Sequence, residues 1–510
     1  MAKQHYFSKI LIANRGEIAV RIMRTCRDMG IATVAVYSDS DRKALHVQYA
    51  DEAYYLGGNA ARESYLVIEK IIGVAREAKA DAIHPGYGFL AENPEFCQAC
   101  HDEGITFIGP DSHAIKAMGN KTLARELMMQ AQVPIVPGTT DPLTTDQEKS
   151  RESASRIGFP LMIKAAAGGG GKGMRIVEKE ADFASALRGA QSEALSSFGD
   201  GTVYLEKYLT SPHHIEIQIL ADVDGNTVYL FERECSIQRR HQKVIEECPS
   251  PFIDDALRHE MGQAAIEVAK AVNYHNAGTV EFMVDASKKY YFLEMNTRLQ
   301  VEHPITELVT GKDLVQLQIM IAAGEKLPFN QNELTMNGAA MECRIYAEDP
   351  ENNFIPSPGK IQQLSVASGP GIRDDCGVFE GYEIPIFYDP LISKLCVWAE
   401  SRDLVLARMK RALTEYNVVG VRTNIALHQQ ILNNPHFQRG VYDTTFIDRY
   451  IQNAQKSKVK EKEMLAIAAA AIFHHQKVTH GEENVTLSQD RAQKNRWKEY
   501  GRQRILSSRI

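Results

Sequence analysis

The chain holds 510 residues, 44% of them hydrophobic and 24% charged, with a net charge of −7, the proportions of a soluble globular protein of two to four domains of about 100–200 residues each. The acidic balance argues against nucleic acid as the main partner, and a membrane is disfavoured because no apolar run reaches spanning length and the N-terminus (Met-Ala-Lys-Gln-His-Tyr-Phe-Ser) does not resemble an export signal. Eight cysteines in so long a chain are no disulfide framework, so reduced thiols and a cytoplasmic setting are expected.

Ile10 to Ala13 is a buried-strand run, followed by Asn14-Arg15-Gly16-Glu17, an amphipathic helix to about Met29 and a strand over Ala32–Tyr37. Strands near 53–56, 81–84 and 105–108 alternate with helices over 64–79 and 94–103, which predicts an α/β class and a parallel sheet with helices on both faces. The first turn lacks Gly-x-Gly-x-x-Gly, which argues against a nicotinamide dehydrogenase. Cys97-Gln-Ala-Cys100-His101 matches the haem-attachment pattern, but it falls on a short amphipathic helix and reads as packing. His84-Pro85-Gly86-Tyr87-Gly88 is a glycine-rich strand exit, as compatible with a tight loop as with a ligand.

Val133-Pro-Ile-Val-Pro137-Gly138 breaks this pattern and opens a second domain. A strand carrying Lys164 then leads into Gly168-Gly169-Gly170-Gly171-Lys172-Gly173 and a further strand. This is not a Walker A loop, because counting back from Lys172 puts Ala166 at the first required glycine and Gly173 at the Ser/Thr position. It fits a flap whose bare N–H groups wrap phosphates and which can swing. Leu205-Glu206-Lys207-Tyr208-Leu209 ends the next strand in a charged pair. His213 and His214 are neighbours on a strand and face opposite sides, so at most one is expected to serve, as a hydrogen-bond donor. The segment 232–243, ending Gln238-Arg239-Arg240-His241-Gln242-Lys243, reads as a cationic patch suited to phosphate or bicarbonate.

The most informative stretch is Glu294-Met295-Asn296-Thr297-Arg298-Leu299-Gln300-Val301-Glu302-His303. Its first half at least is extended, and with period two one face carries Glu294, Asn296, Arg298, Gln300 and Glu302. Hard-cation oxygen ligands thus share a face with a fork-shaped anion binder. Gly278–Val284 reads as a neighbouring strand that adds Glu281. The expectation is a site holding Mg²⁺ and an anion side by side. A β-rich region with frequent turns follows from Ala340 to about residue 400, and helices close a compact unit near 450. The last sixty residues read as a charged linker, an alanine-rich helix and a basic end with Trp497, a solvated tail by composition.

From about Ile10 to Tyr450 the chain resembles biotin carboxylase, the ATP-grasp component of biotin-dependent carboxylases. The resemblance rests on Ile-Ala-Asn-Arg-Gly-Glu (12–17), His-Pro-Gly-Tyr-Gly (84–88), Lys-Ala-Ala-Ala-Gly-Gly-Gly-Gly-Lys-Gly-Met (164–174), Arg-Arg-His-Gln-Lys (239–243) and Glu-Met-Asn-Thr-Arg-Leu-Gln-Val-Glu-His (294–303). It implies an N-terminal doubly wound domain over 1–120, an ATP-grasp domain over 121–325 with a mobile lid at about 139–208, an α+β C-terminal domain over 336–450 and a tail over 451–510. The implied reaction phosphorylates bicarbonate with ATP to carboxyphosphate and carboxylates biotin, as the first half-reaction of an acyl-CoA or pyruvate carboxylase. Lys121, Lys164, His214, Gln238, His241 and the loop glycines Gly169, Gly170, Gly171 and Gly173 are then expected to hold ATP, with Glu206, Lys207 and Leu209 at the adenine end. Glu281, Glu294 and Asn296 are expected to hold two ions of Mg²⁺ or Mn²⁺, and Lys243, Arg298, Gln300 and the Val301 backbone bicarbonate. Glu302 is implied as the general base and Arg344 as stabiliser of the biotin enolate, with Arg298 also facing the reacting centre. The biotin-acceptor string Ala/Val-Met-Lys-Met does not occur, and the nearest string, Ala407-Arg-Met-Lys410-Arg, lies inside the catalytic unit. Biotin is therefore expected on a separate biotinyl carrier protein, with a carboxyltransferase as a further partner and the chain itself forming a homodimer. The rival expectations are another ATP-grasp ligase, of carbamoyl-phosphate or amino-acid type, and a regulatory protein that binds nucleotide without chemistry.

Overall fold

The computed structural model describes residues 6–139, 143, 147–165, 174–198 and 200–452. The glycine loop, the Lys121 side chain and residues 453–510 lie outside the described residues, so the expectations for Gly169, Gly170, Gly171, Gly173 and the tail are not addressed by it. The chain divides into two compact units, Met1–Ile451 and Gln452–Ile510, and all but the first residue of the second lies outside the described residues.

The N-terminal alternation of strand and helix produces five parallel strands in the order Glu52–Gly57, Ala32–Ser38, Lys9–Ile12, Ala82–His84 and Thr106–Phe107. The central strand is apolar on both faces because both are covered. Ile10 and Ile12 pack with Ile18 and Ile22 of the helix Gly16–Asp28, whereas Leu11 faces Ile71 and Phe96 on the other side. Cys97 and Cys100 are buried in the packing of the helix Pro94–Asp102. The strand order reverses between Lys9–Ile12 and Ala82–His84, so the loops at Asn14 and at His84–Gly88 sit together at a topological switch point, where doubly wound sheets place ligands.

A small antiparallel sheet, Met174–Val177, Leu161–Ala165 and Val203–Lys207, packs against the helices Gln147–Ile157 and Phe183–Phe198. It has its own core of Leu161, Ile163, Phe183, Leu187, Val203 and Leu205. Gly138 crosses this sheet's edge so closely that a Cβ there would lie 2.4 Å from the Leu205 carbonyl oxygen.

The rest is organised by one eight-stranded antiparallel sheet. Its order is Tyr290–Asn296, Asn276–Val284, His213–Ala221, Thr227–Arg239, Gln242–Cys248, Ala339–Tyr346, Leu391–Ala399 and Ile372–Cys376. The β-rich region expected after residue 340 is present, with three two-stranded sheets of its own. Its long strands extend the eight-stranded sheet that begins at residue 213, which carries Arg344 onto the same surface as Lys243. Among the described residues no helix is long and apolar enough to cross a membrane.

Candidate active site

The strand Tyr290–Asn296 pairs with Asn276–Val284 so that Glu294 lies opposite Glu281 and Asn296 opposite Thr279. Alternation therefore locates this face correctly, but it stops at Asn296. Residues 297–302 leave the sheet, and Glu302 is the N-cap of the helix His303–Thr310. That departure lets Arg298, Gln300 and Glu302 close over the sheet rather than continue along it.

Lys243 is the hub. Its ammonium donates to Glu216 Oε2 (2.5 Å), Glu302 Oε1 (2.5 Å) and Glu281 Oε1 (3.0 Å). Burial opposes its charge, and Glu216, Glu281 and Glu302 outweigh burial and hold the group protonated well above its usual range. Arg344 donates from Nε to Glu246 Oε1 (2.7 Å) and from Nη2 to Glu302 Oε2 (2.8 Å). Its own carbonyl accepts from Asn424 Nδ2 (2.9 Å) and lies 2.8 Å from His428 Nε2. Glu302, 2% exposed, thus has a cation on each oxygen. Burial pushes its carboxyl up, but Lys243, Arg344 and Arg233 overcome that and keep it ionised far below the usual carboxylate range.

Glu281 is held in the same way. Its Oε1 also accepts from Asn296 Nδ2 (2.9 Å) and Gln300 Nε2 (2.8 Å), and its Oε2 lies 2.7 Å from His214 Nε2. Gln238 Nε2 is 2.7 Å from His214 Nδ1. His213 faces the other way, stacked on Phe252 with 3.6 Å between ring centroids, so only one of the histidines reaches this network. Arg298 binds Glu92 Oε2 through Nε and Asn296 Oδ1 through Nη2, both at 2.9 Å. Glu294 is exposed at the outer strand.

Among the described residues three groups of side chains could hold a cation, and two of them, His214/Glu216/Glu281 and Glu216/Cys235/Glu302, share Glu216. In each of these two the ligand atoms lie within 4.8 Å of one another, but Glu216 is already neutralised by Arg233 and Lys243. Glu281, Glu294 and Asn296 form a hard-oxygen set on adjacent strands; Glu281 too is paired with Lys243, but the exposed Glu294 adds a second carboxylate and the set holds no imidazole or thiol, which suits Mg²⁺ or Mn²⁺.

Lys164, Glu206, Lys207 and Leu209 form a second group on or beside the small sheet, and His241 stands apart from it. Lys164 pairs with Glu206, and the Lys207 ammonium donates to the carbonyls of Phe159 (3.0 Å) and Gly158 (3.2 Å). Leu209 is half-buried just beyond the strand, and His241 is exposed at the turn of the hairpin that carries Gln238 and Lys243. The cationic patch expected over 232–243 does not exist as a patch. Arg233 is wholly buried, Arg239 pairs with Glu348 at 2.9 Å, Lys243 enters the carboxylate cluster, and Arg240 is exposed.

Sequence reasoning missed Glu216, Arg233, Glu246, Glu92 and Lys394. Glu216 was within reach, since it shares a strand face with His214 at period two. Arg233 was masked by its charged neighbours. It binds Glu216 Oε1 (2.5 Å), Gln218 (2.8 Å), Gln300 (2.8 Å), Thr306 (2.9 Å) and Thr279 (3.1 Å), and so fixes the floor beneath Gln300.

Glu246 stands opposite Glu342 in neighbouring strands, both wholly buried. Burial, opposed by Arg344, pushes the Glu246 carboxyl up to about 7. Its unfolded value is about 4.3. A carboxyl raised on folding contributes stability that is fully present below the unfolded value and lost as pH rises through the folded one. Between about pH 4.5 and 7 stability should therefore fall by on the order of 2–3 kcal/mol from this group. Glu246→Gln should flatten that stretch of a melting-temperature-against-pH curve, and an unchanged slope would assign the titration elsewhere.

Known proteins share this sequence and fold. Three family models match: "Biotin carboxylase, N-terminal domain" over residues 6–115, "Carbamoyl-phosphate synthase L chain, ATP binding domain" over 120–330 and "Biotin carboxylase C-terminal domain" over 342–449. The chain is 52% identical over 470 residues to a pyruvate carboxylase subunit of Methanothermobacter thermautotrophicus, covering 92% of this chain and 95% of that one. It is 52% identical over 446 residues to a biotin carboxylase of Halalkalibacterium halodurans, covering 88% and 98%. Among solved structures, the biotin carboxylase domain dimer of the Hydrogenobacter thermophilus 2-oxoglutarate carboxylase, in complex with MgADP, ADP and bicarbonate, superposes with a TM-score of 0.81 at 46% identity, covering 87% of this chain and 98% of that one.

Proposed function

The chain belongs to the biotin carboxylase family of ATP-grasp ligases, and from that premise we propose how its own residues divide the ATP- and bicarbonate-dependent carboxylation of biotin. The observation that carries the reading is the convergence of Lys243 and Arg344 on the two oxygens of Glu302, beside the hard-oxygen pair Glu281 and Glu294.

Bicarbonate is a poor electrophile, and phosphorylation to carboxyphosphate gives its carbon a leaving group. Lys243, Arg298, Gln300 and the Val301 backbone hold the anion, and Glu302 takes its proton. A base pinned by two cations is fully ionised but weak. It gains basicity as Lys243 turns to bicarbonate and Arg344 to the ureido oxygen of biotin, where Arg344 stabilises the enolate. Lys121, Lys164, His214, Gln238, His241 and the glycine loop hold the triphosphate, with Glu206, Lys207 and Leu209 at the adenine. The Lys207 ammonium is already engaged with the carbonyls of Gly158 and Phe159, and its backbone N–H with that of Pro137. Glu281, Glu294 and Asn296 would hold two ions of Mg²⁺ or Mn²⁺, which when bound neutralise charge on the transferring phosphoryl group. Carboxyphosphate hydrolyses readily, so closure of residues 139–208 with the glycine loop would serve to exclude water. MgADP and bicarbonate in the Hydrogenobacter thermophilus relative support these assignments.

We further read the chain as the biotin carboxylase subunit of a larger cytoplasmic carboxylase, a homodimer that works with a biotinyl carrier protein on a separate chain and a carboxyltransferase. The name of one relative, a carboxylase subunit, and the dimer of another support the assembly, and eight free cysteines support the compartment. The test is ADP release by the purified chain with ATP and Mg²⁺. Release should require both bicarbonate and free biotin, whereas turnover with ammonia or an amine and no response to biotin would overturn the reading.

A further inference from the structure

Two motifs, Asn14–Glu17 and His84–Gly88, take no part in the roles above, yet a continuous set of contacts leads from them to the turn 297–302. Asn14 Nδ2 donates to the carbonyls of Pro85 (2.7 Å) and Tyr87 (2.8 Å). At Gly86, φ is +64° and a Cβ would come within 3.0 Å of that same Nδ2, so the strand exit closes tightly on Asn14. The Tyr87 hydroxyl donates to Glu17 Oε1. Glu17 Oε2 lies 3.1 Å from Lys394 Nζ, an ion pair not aligned as a hydrogen bond. Lys394 Nζ donates to the Val301 carbonyl oxygen at 3.0 Å, with Asp375 3.8 Å away. Lys394 is 0% exposed, Asp375 3% and Glu17 5%.

A buried ammonium is costly unless its partners neutralise it, and exchanging a whole buried ion cluster for apolar groups is often neutral or stabilising, so stability alone is a weak reason for the presence of the cluster. Among the described residues the aligned hydrogen bond of the Lys394 ammonium goes to the peptide that joins Val301 to Glu302. We propose that Lys394 is a positioning residue for bicarbonate activation: neutralised from behind by Glu17 and Asp375, it pins the Val301 carbonyl and so sets the turn that carries Arg298, Gln300 and Glu302. Tyr87 and Asn14 hold Glu17 at the correct height. This rests on the reading of residues 298–302 as the bicarbonate turn.

Steady-state kinetics of Lys394→Met test it, with Tyr87→Phe, which removes one hydroxyl, carrying the same test should the first variant not fold. Misplacing a reacting group by about an ångström can cost on the order of a hundredfold, so the bicarbonate KM should rise about tenfold or more and kcat should fall, while the ATP KM stays within about twofold. A purely structural role would move both KM values alike. An unchanged bicarbonate KM, or an equal rise for both substrates, overturns the proposal. Arg298→Ala serves as the control. If it too leaves the bicarbonate KM unchanged, the fault lies in the bicarbonate reading of the turn and not in the part given to Lys394.

Discussion

Replacing Glu302 by Gln is expected to cut bicarbonate-dependent ADP release by about a hundred- to ten-thousand-fold, the usual contribution of a positioned general base. The substitution keeps the shape and one acceptor for Lys243 or Arg344, so the loss comes from the missing base and not from collapse. Nucleotide affinity should change little, because the residues assigned to ATP bond elsewhere, Lys164 to Glu206 and His214 to Glu281, and not to Glu302. Two measurements check this together, ADP release at saturating bicarbonate and nucleotide binding by titration. Wild-type turnover in the variant would remove Glu302 from the role of base. The activity of the free enzyme should show no acid limb from Glu302 near its ordinary value, since Lys243 and Arg344 hold it well below that range against the effect of burial.

Arg233 should give the largest effect on stability. It is wholly buried and donates to five side chains, on two strands, on the turn 297–302 and on the helix His303–Thr310. Arg233→Met has similar volume but leaves Glu216 with only Lys243 as a counter-charge and strips partners from Gln218, Thr279, Gln300 and Thr306. Breaking a buried pair from one side costs about 3–5 kcal/mol. The shift should appear in the urea midpoint of unfolding, and adding Glu216→Gln should recover part of it, because the uncompensated carboxylate is the main penalty. Arg298→Ala, whose side chain is 20% exposed, should cost far less. Equal losses from the two single variants would refute the central place given to Arg233.

The two residues mark where the sequence stops being legible. Glu302 lies in a stretch whose alternation and mix of carboxylate, amide and guanidinium marked it from the sequence. Arg233 lies in a stretch that read as a basic surface, and only its fold partners reveal it as interior. The hydrogen bonds that define the site join residues 42 apart (Arg344–Glu302), 59 apart (Lys243–Glu302), 93 apart (Lys394–Val301) and 98 apart (Arg344–Glu246). Periodicity is a local property. It says which face a side chain takes, but not which distant side chain will meet it there.

By itself, the sequence determined the doubly wound N-terminal sheet, since buried parallel strands and amphipathic helices have different periods and alternate plainly from Ile10 to Phe107. It also marked Glu281 as lying on a strand neighbouring that of Glu294, but that the two stand opposite one another was decided by the structure, through a register shift between Glu281 and Phe282. The tertiary structure decided that the long strands after residue 339 extend the sheet that starts at His213, which brings Arg344 beside Lys243. It decided too that residues 297–302 leave the strand of Glu294 and close over the sheet as a turn. The physical reason is the same in both cases. Sheet extension and turn closure are fixed by long-range pairing and by buried charges that need partners, and neither leaves a mark in the local pattern of residues.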